Sequence, residues 1–218
     1  MYVWSIIGVA VFYLAQNAVV SASIKEKEGG IVYQPRHLLR ASVIARQKAV
    51  SIDEGKAPLP PGFKYIYVTN NGSLVNSSGA PGDTIEVSGS PKTQMRSVRM
   101  AASTVARMVK KMPQAIFRRI SRDAGVGVFT AEEKIIIYPS FADLKNGDCG
   151  TNCTGDCEKT CTFDGRKYED IGAAAGERAA IEEDSVMCGV TFNTFELIDV
   201  VSHEFGHTAM MYGMSDTQ

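Results

Sequence analysis

The chain has 218 residues, of which 44% are hydrophobic, so it is long and apolar enough for one cored domain, with or without an appendage. The formal net charge is −1 and no stretch of the sequence is polybasic, which argues against a nucleic-acid partner.

Residues 1–22 predict a secretory signal. They carry no charge, Val3–Leu14 is an apolar run, and Val20-Ser21-Ala22 has the small-residue form of a cleavage site. An uncleaved N-terminal anchor is the alternative, although the apolar run is short for a membrane span. The signal predicts a secreted, extracellular protein that has no stable membrane association after cleavage at Ala22.

Residues 23–90 are interpreted as a propeptide or an accessory segment. Within them Tyr65–Val68 predicts a strand, and Asn70-Asn71-Gly72 is typical of a turn. Asn71 and Asn76 begin Asn-x-Ser sequons, which in a secreted protein predict glycosylation on exposed loops.

The main domain is predicted to occupy residues 91–218. Apolar residues at spacings of three and four from Met95 to Met112 predict an amphipathic helix with a buried methionine-containing stripe. Pro113 is expected to start a second helix. Val126–Phe129 and Lys134–Tyr138 predict two strands. The first helix should turn its basic residues to solvent, namely Arg96, Arg99, Arg107, Lys110 and Lys111.

Four cysteines recur every four residues in a stretch rich in Gly, Asn and Asp, which predicts a loop. In a secreted protein we expect disulfides, whereas a reducing compartment would favour a four-thiolate metal module. Asn152 begins a third sequon in this loop. A fifth cysteine makes the count odd, so one is free, bridges another chain or pairs with a residue beyond this sequence. The disulfide candidates are Cys149, Cys153, Cys157, Cys161 and Cys188.

Two features connect the cysteine segment to the motif that follows. Gly172–Gly176 contains only glycine and alanine, which predicts a mobile or closely packed loop. Glu182, Glu183 and Asp184 are interpreted as a solvated acidic loop; calcium binding and contact with basic substrate residues are the alternatives.

A His-Glu-x-x-His motif, His203-Glu204-Phe205-Gly206-His207, lies near the C-terminus. On a helix, residues four apart share a face, so His203 and His207 can hold one metal ion together. Glu204 then stands beside a metal-bound water and can take its proton as the general base. The expected metal is Zn²⁺, which lowers the pKa of bound water to about 7.

The motif is predicted to lie on a helix that Asn193 caps, with Glu196 reaching back to the cap. Val201, Phe205 and Ala209 belong to its apolar stripe and should be buried, so the polar ligands are expected to face a cleft. Gly206 is costly inside a helix, and a close backbone approach would explain it.

These residues resemble the active-site helix of zincin metallopeptidases. The resemblance implies an α+β fold, zinc, and hydrolysis of a peptide or protein substrate. A longer stretch, Met112–Pro139 followed by Ile181–Cys188, is similar to secreted zincin-like proteins of invertebrates and fungi. What it implies is a zincin N-terminal subdomain, a small sheet with helices that ends in the zinc helix, in which an edge strand pairs with extended substrate.

A zincin needs a third protein ligand. The metzincin extension would place Gly at 210 and His at 213, but the residues are Met210 and Gly213, which excludes that subclass. Asp216 is the acidic residue that follows His207, and a turn at Tyr212-Gly213 would let it reach the metal; as an alternative it is a solvated tail residue. We therefore expect that the chain is a fragment, incomplete at its C-terminus. The alternative to an active peptidase is a zincin-like binding protein or fragment that does not cleave.

Overall fold

The computed structural model describes residues 56–146, 153, 160–162, 165–187 and 199–214. The described residues form an α+β structure: a six-stranded mixed sheet with helices on one face. Several predictions fall outside these ranges and concern the signal (1–22), the capping pair Asn193 and Glu196, and the site candidates Cys149, Asn152, Cys157, Cys188 and Asp216.

The sheet has the order β2-β1-β3-β4-β6-β5. Strands β3, β4 and β6 are parallel, and every other pairing is antiparallel. The strands predicted at Tyr65–Val68 and Val126–Phe129 are confirmed as parts of β1 and β4. The strand bounds are Lys64–Val68 (β1), Leu74–Val75 (β2), Ile85–Gly89 (β3), Gly125–Phe129 (β4), Ala173–Ala174 (β5) and Arg178–Glu182 (β6).

The first three strands come from the segment interpreted as a propeptide or accessory layer. β1 and β2 are joined by the predicted turn, in which Gly72 has φ +81° and its N–H donates to the Thr69 carbonyl at 2.9 Å. β3 is buried along its whole length and pairs with β4. Residues 64–89 therefore share one sheet with the strands that lead to the His-Glu-x-x-His motif.

Four helices are described, and both predicted helices that precede β4 are confirmed. On α1 the predicted stripe is buried at Val98, Ala102, Val105 and Val109, whereas Met95 at its start is exposed. No helix among the described residues is long and apolar enough to cross a membrane. The helix bounds are Met95–Val109 (α1), Gln114–Asp123 (α2), Glu183–Val186 (α3) and Val200–Thr208 (α4).

The strand predicted at Lys134–Tyr138 is wrong, because the chain there forms 3-10 helical turns at Ile135–Ile137 and Pro139–Leu144. This segment covers the second face of the sheet. The Tyr138 ring lies on Gly127, where a Cβ atom would stand 2.4 Å from the ring Cζ, and its hydroxyl donates to the Val128 carbonyl at 3.0 Å. Three successive isoleucines favour a strand locally, but the packing of Tyr138 on the sheet decides the conformation.

Arg178, the largest fully buried side chain of the described residues, also lies on the second face. It crosses Gly125 to reach Glu86 at 3.1 Å, and its other terminal nitrogen lies 2.8 Å from Glu177. The guanidinium donates to the Ala57 carbonyl at 2.9 Å, and the Ala57 N–H donates to Glu177 at 3.0 Å. These bonds fix the chain before β1 onto the sheet.

Candidate metal centre

His203 and His207 lie on one face of α4, as their spacing predicts. The two ring centroids are 4.8 Å apart and the ring planes meet at 82°. His203 is exposed, whereas Glu204 and His207 are half-buried. The helix thus carries the two imidazoles together on its outer side, with the half-buried Glu204 next to His203 in the sequence.

The opposite side of α4 anchors the helix to the sheet. Val201 and Phe205 are buried in the main core, which confirms that part of the predicted stripe, and Ala209 is half-buried against it. The Thr208 hydroxyl is buried and donates to the Gly176 carbonyl at 3.0 Å. These contacts keep His203 and His207 on the outer face.

Asp199 caps the N-terminus of α4. Its Oδ1 accepts from the Ser202 N–H at 3.1 Å, and its Oδ2 lies 3.8 Å from Arg107 of α1. Asp199 was missed in the sequence, although aspartate directly before an apolar pair, Val200-Val201, is a cap signal. The cap and the ion pair tie the start of the helix to α1.

At its other end α4 widens into a π-helical turn, Ala209–Gly213. Arg119 of α2 donates to the Gly213 carbonyl at 2.6 Å. A Cβ at Gly213 would lie 2.9 Å from Ile120, so a larger residue there would require side chains of α2 to shift. Beyond the turn Met214 is extended, and burial raises the pKa of Tyr212 to about 12, so its phenol stays protonated at neutral pH.

Gly206 does not show the close backbone approach that the sequence led us to expect. Among the described residues, no heavy atom lies within 4 Å of the position that a Cβ would take. A side chain at Gly206 would therefore not collide with another described element.

The donor chemistry of the outer face suits zinc, because imidazole nitrogen is among its preferred ligands. Across the described residues no group of three or more His, Cys, Asp or Glu side chains is arranged to hold a metal ion. The predicted third ligand, Asp216, lies outside them. His203 and His207 are thus the described pair that could hold the ion.

The acidic residues before the motif differ in what they contact. Glu183 is not a solvated loop residue: its Oε1 accepts from the Gln94 N–H at 2.9 Å and from the Ser97 hydroxyl at 2.5 Å, so it caps α1 from across the fold. Burial raises the pKa of Glu182 above its ordinary value, and the neighbouring charge of Asp184 adds to this.

Cys153 and Cys161 form a disulfide, with their Cα atoms 6.0 Å apart. The bond uses two of the four sulfurs that a thiolate module would need. The sequon residues Asn71 and Asn76 are exposed next to β2, and the Asn71 side-chain oxygen accepts from the Ser73 N–H at 3.0 Å. Their amides are thus accessible for modification.

Comparison of the chain with family models, with curated proteins and with solved structures returns no match. The side chains that α4 carries are therefore the basis for assigning a chemistry to this centre.

Proposed function

We propose that the chain is a secreted zinc metallopeptidase that hydrolyses peptide bonds in a peptide or protein substrate. His203 and His207 are the zinc ligands in this proposal, and Glu204 is the general base. The observation that carries it is the pair of imidazole rings 4.8 Å apart on one helical face, with Glu204 beside them on the same turn.

When bound, zinc would polarise the carbonyl of the scissile peptide and lower the pKa of water at the site. The carboxylate of Glu204 accepts the proton of the attacking water and then passes it to the leaving amine. Its half-buried position suits this role, because a carboxylate held by a helix against the protein body has fewer orientations to lose.

The sheet also supports a zincin-like subdomain. β5 is an edge strand, antiparallel to β6, and it contacts α4. An extended peptide laid along β5 could add a strand to this edge, with its backbone held near the motif.

The decisive experiment replaces Glu204 by Gln. The variant keeps the shape and the imidazoles but loses the base, so zinc content, measured by mass spectrometry, should stay while hydrolysis of labelled casein falls by roughly 100-fold or more. Glu132→Gln, on an exposed turn, is the matched control and should retain full hydrolysis. Undiminished hydrolysis by Glu204→Gln would remove Glu204 as the base.

Zinc content separates the alternatives. Zinc lost in His203→Ala supports the histidine site, whereas zinc retained there and lost on replacement of the cysteines would favour a thiolate module. Zinc bound by the unaltered protein without hydrolysis of any peptide library would favour a zincin-like binding protein.

A further inference from the structure

Three cations of α1 and Lys110, which directly follows it, form one row along the exposed side of the helix. Arg96, Arg99, Arg107 and Lys110 are separated by three, eight and three residues, spacings that return to the same face of a helix. All four are exposed. At a rise of about 1.5 Å per residue the row is about 21 Å long. We call these four residues the basic row.

The row belongs to a strongly basic part of a chain whose net charge is −1. Residues 94–123 contain eight arginines and lysines and one acidic residue, Asp123. The charges are dispersed in the sequence, and helical spacing brings four of them, the basic row, to one side of α1.

The arginines of α2 are used by the fold. Arg118 pairs with Asp83 at 2.9 Å, Arg122 pairs with Asp123 at 2.6 Å, and Arg119 donates to the Gly213 carbonyl. Each of these cations thus has a structural reason to be where it is.

Three cations of the basic row differ in this respect. Within the described part of the chain, the side chains of Arg96, Arg99 and Lys110 make no hydrogen bond or ion pair. Arg107 donates to the Thr104 hydroxyl at 2.8 Å and lies near Asp199. The fold therefore makes little use of the row's charge.

Helix stability explains only the C-terminal half of the row, where Arg107 lies in the last turn and Lys110 is the C-cap; it does not explain Arg96 and Arg99. Arg96 and Arg99 lie near the N-terminus of α1, whose first turn has no acidic residue. Cations at that end oppose the helix macrodipole. Arg96, in the first turn, thus disfavours the helix, and Arg99 gains nothing from the macrodipole, which points to a function outside the fold.

We propose that the basic row binds a linear sulfated polysaccharide. Sulfate groups spaced along such a chain can meet cations spaced along the helix, and the guanidinium fork forms paired hydrogen bonds with oxyanions. The binding is electrostatic, so it should weaken steeply as salt rises.

The surroundings of the row disfavour other anionic partners. The apolar face of α1 is buried against the sheet, so the helix has none to insert into a lipid surface. Protein interfaces are usually anchored by apolar or aromatic side chains, but of the exposed large apolar residues that are described only Met95 lies on α1. Single-stranded nucleic acid stacks on aromatic platforms, and Phe117, the sole aromatic residue of 94–123, is fully buried.

The test compares two triple variants with the same change of charge, using heparin as the probe. Arg96→Gln/Arg99→Gln/Lys110→Gln neutralises the row and keeps good helix formers. The matched control, Lys92→Gln/Lys145→Gln/Arg166→Gln, neutralises exposed cations outside both helices. Heparin affinity is measured by titration at salt concentrations from about 0.05 to about 0.3 M, because the screening of charge–charge interactions changes strongly over this range.

We expect heparin affinity to fall at least about tenfold in the row variant, while the affinity of the control stays within about twofold of that of the unaltered protein. The slope of log affinity against log salt concentration should decrease in magnitude by about two in the row variant. Equal losses in both variants, or no heparin binding by the unaltered protein at about 0.15 M salt, would overturn the proposal. Tighter binding of duplex DNA or of phosphatidylserine vesicles than of heparin would overturn it too.

Two further measurements separate binding from folding and from catalysis. The thermal midpoint of the row variant should stay close to that of the unaltered protein, because losing Arg96 near the N-terminus and Lys110 at the C-cap of α1 has opposite effects through the macrodipole. If the midpoint falls, Arg96→Lys/Arg99→Lys, which keeps the charge, should retain most of the heparin affinity; loss of affinity there would count against the row. Heparin binding should persist in Glu204→Gln and after chelation, so it fails or holds independently of the peptidase proposal.

Discussion

The ring of Tyr138 fills the space that a side chain at position 127 would need. A Cβ there would stand 2.4 Å from Cζ of Tyr138, whose ring is fully buried. Gly127→Ala should therefore lower the free energy of unfolding by about 1–3 kcal/mol, measured by urea denaturation. Gly79→Ala is the control, since no heavy atom lies near its Cβ position, and its effect should be within about 0.5 kcal/mol. Equal effects in the two variants would show that the ring can move away.

Glu182 should make stability depend on pH. Burial, and then the charge of Asp184, raise its pKa above the ordinary value of 4.5, so the folded state holds the proton more tightly than the unfolded state. The stability that the raised pKa gives is fully present below about pH 4.5 and is lost as the pH rises through the pKa of the folded state. Glutamine stays neutral at every pH and so avoids the cost of ionising Glu182 in the folded state. Glu182→Gln should therefore be more stable than the unaltered protein at pH 7 and equal to it at pH 4.

Urea denaturation at the two pH values checks this, with Glu132→Gln as the comparison. The hydrogen bond from Lys92 lowers the pKa of Glu132, so removing that carboxylate should not stabilise the protein at pH 7. A gain for Glu182→Gln that is as large at pH 4 as at pH 7 would contradict the assignment to ionisation.

At the scale of one element, the position of α4 depends on its cap. Asp199→Ala removes the hydrogen bond to the Ser202 N–H and should cost about 1 kcal/mol of unfolding free energy. Zinc affinity should fall as well, but less than in His203→Ala, because both imidazoles remain. Asp143→Ala, at an exposed position of a 3-10 turn, should change neither quantity. Equal zinc affinities before and after Asp199→Ala would show that the cap does not position the site.

The elements that the sequence predicted are those whose pattern is local. The three- and four-residue spacing of α1 and the apolar run of β4 needed no distant contact, and the face shared by His203 and His207 followed from helical geometry alone. The segment at Lys134–Tyr138 was misjudged, because its conformation depends on a glycine in another element, Gly127. The capping of α1 by Glu183 joins residues far apart in sequence, and no local sequence pattern predicts such a contact.

Across the whole molecule, the buried arginine joins three strands and the chain that precedes β1. Replacing Arg178 by Met would leave the buried Glu86 and the half-buried Glu177 without this cation, which should cost about 3–5 kcal/mol in urea denaturation. Arg118→Met breaks an exposed pair with Asp83 at 2.9 Å and should cost at most about 1 kcal/mol. A small effect at Arg178 would mean that water or rearrangement compensates the two carboxylates.

The lengths of the connections between neighbouring strands predict the order in which the strands assemble during folding. β3 and β4 are joined through α1 and α2, whereas β4 and β6 are joined through the longer stretch 130–177, which includes the disulfide. Closing the longer loop costs more entropy, and non-local parallel pairing is slow. We therefore expect β6 to join the nascent sheet last and α4 to dock on it after that. The helix that carries both imidazoles would then be fixed to the sheet only in the final kinetic step, and a fluctuation that releases β6 would free this helix while the rest of the sheet persists.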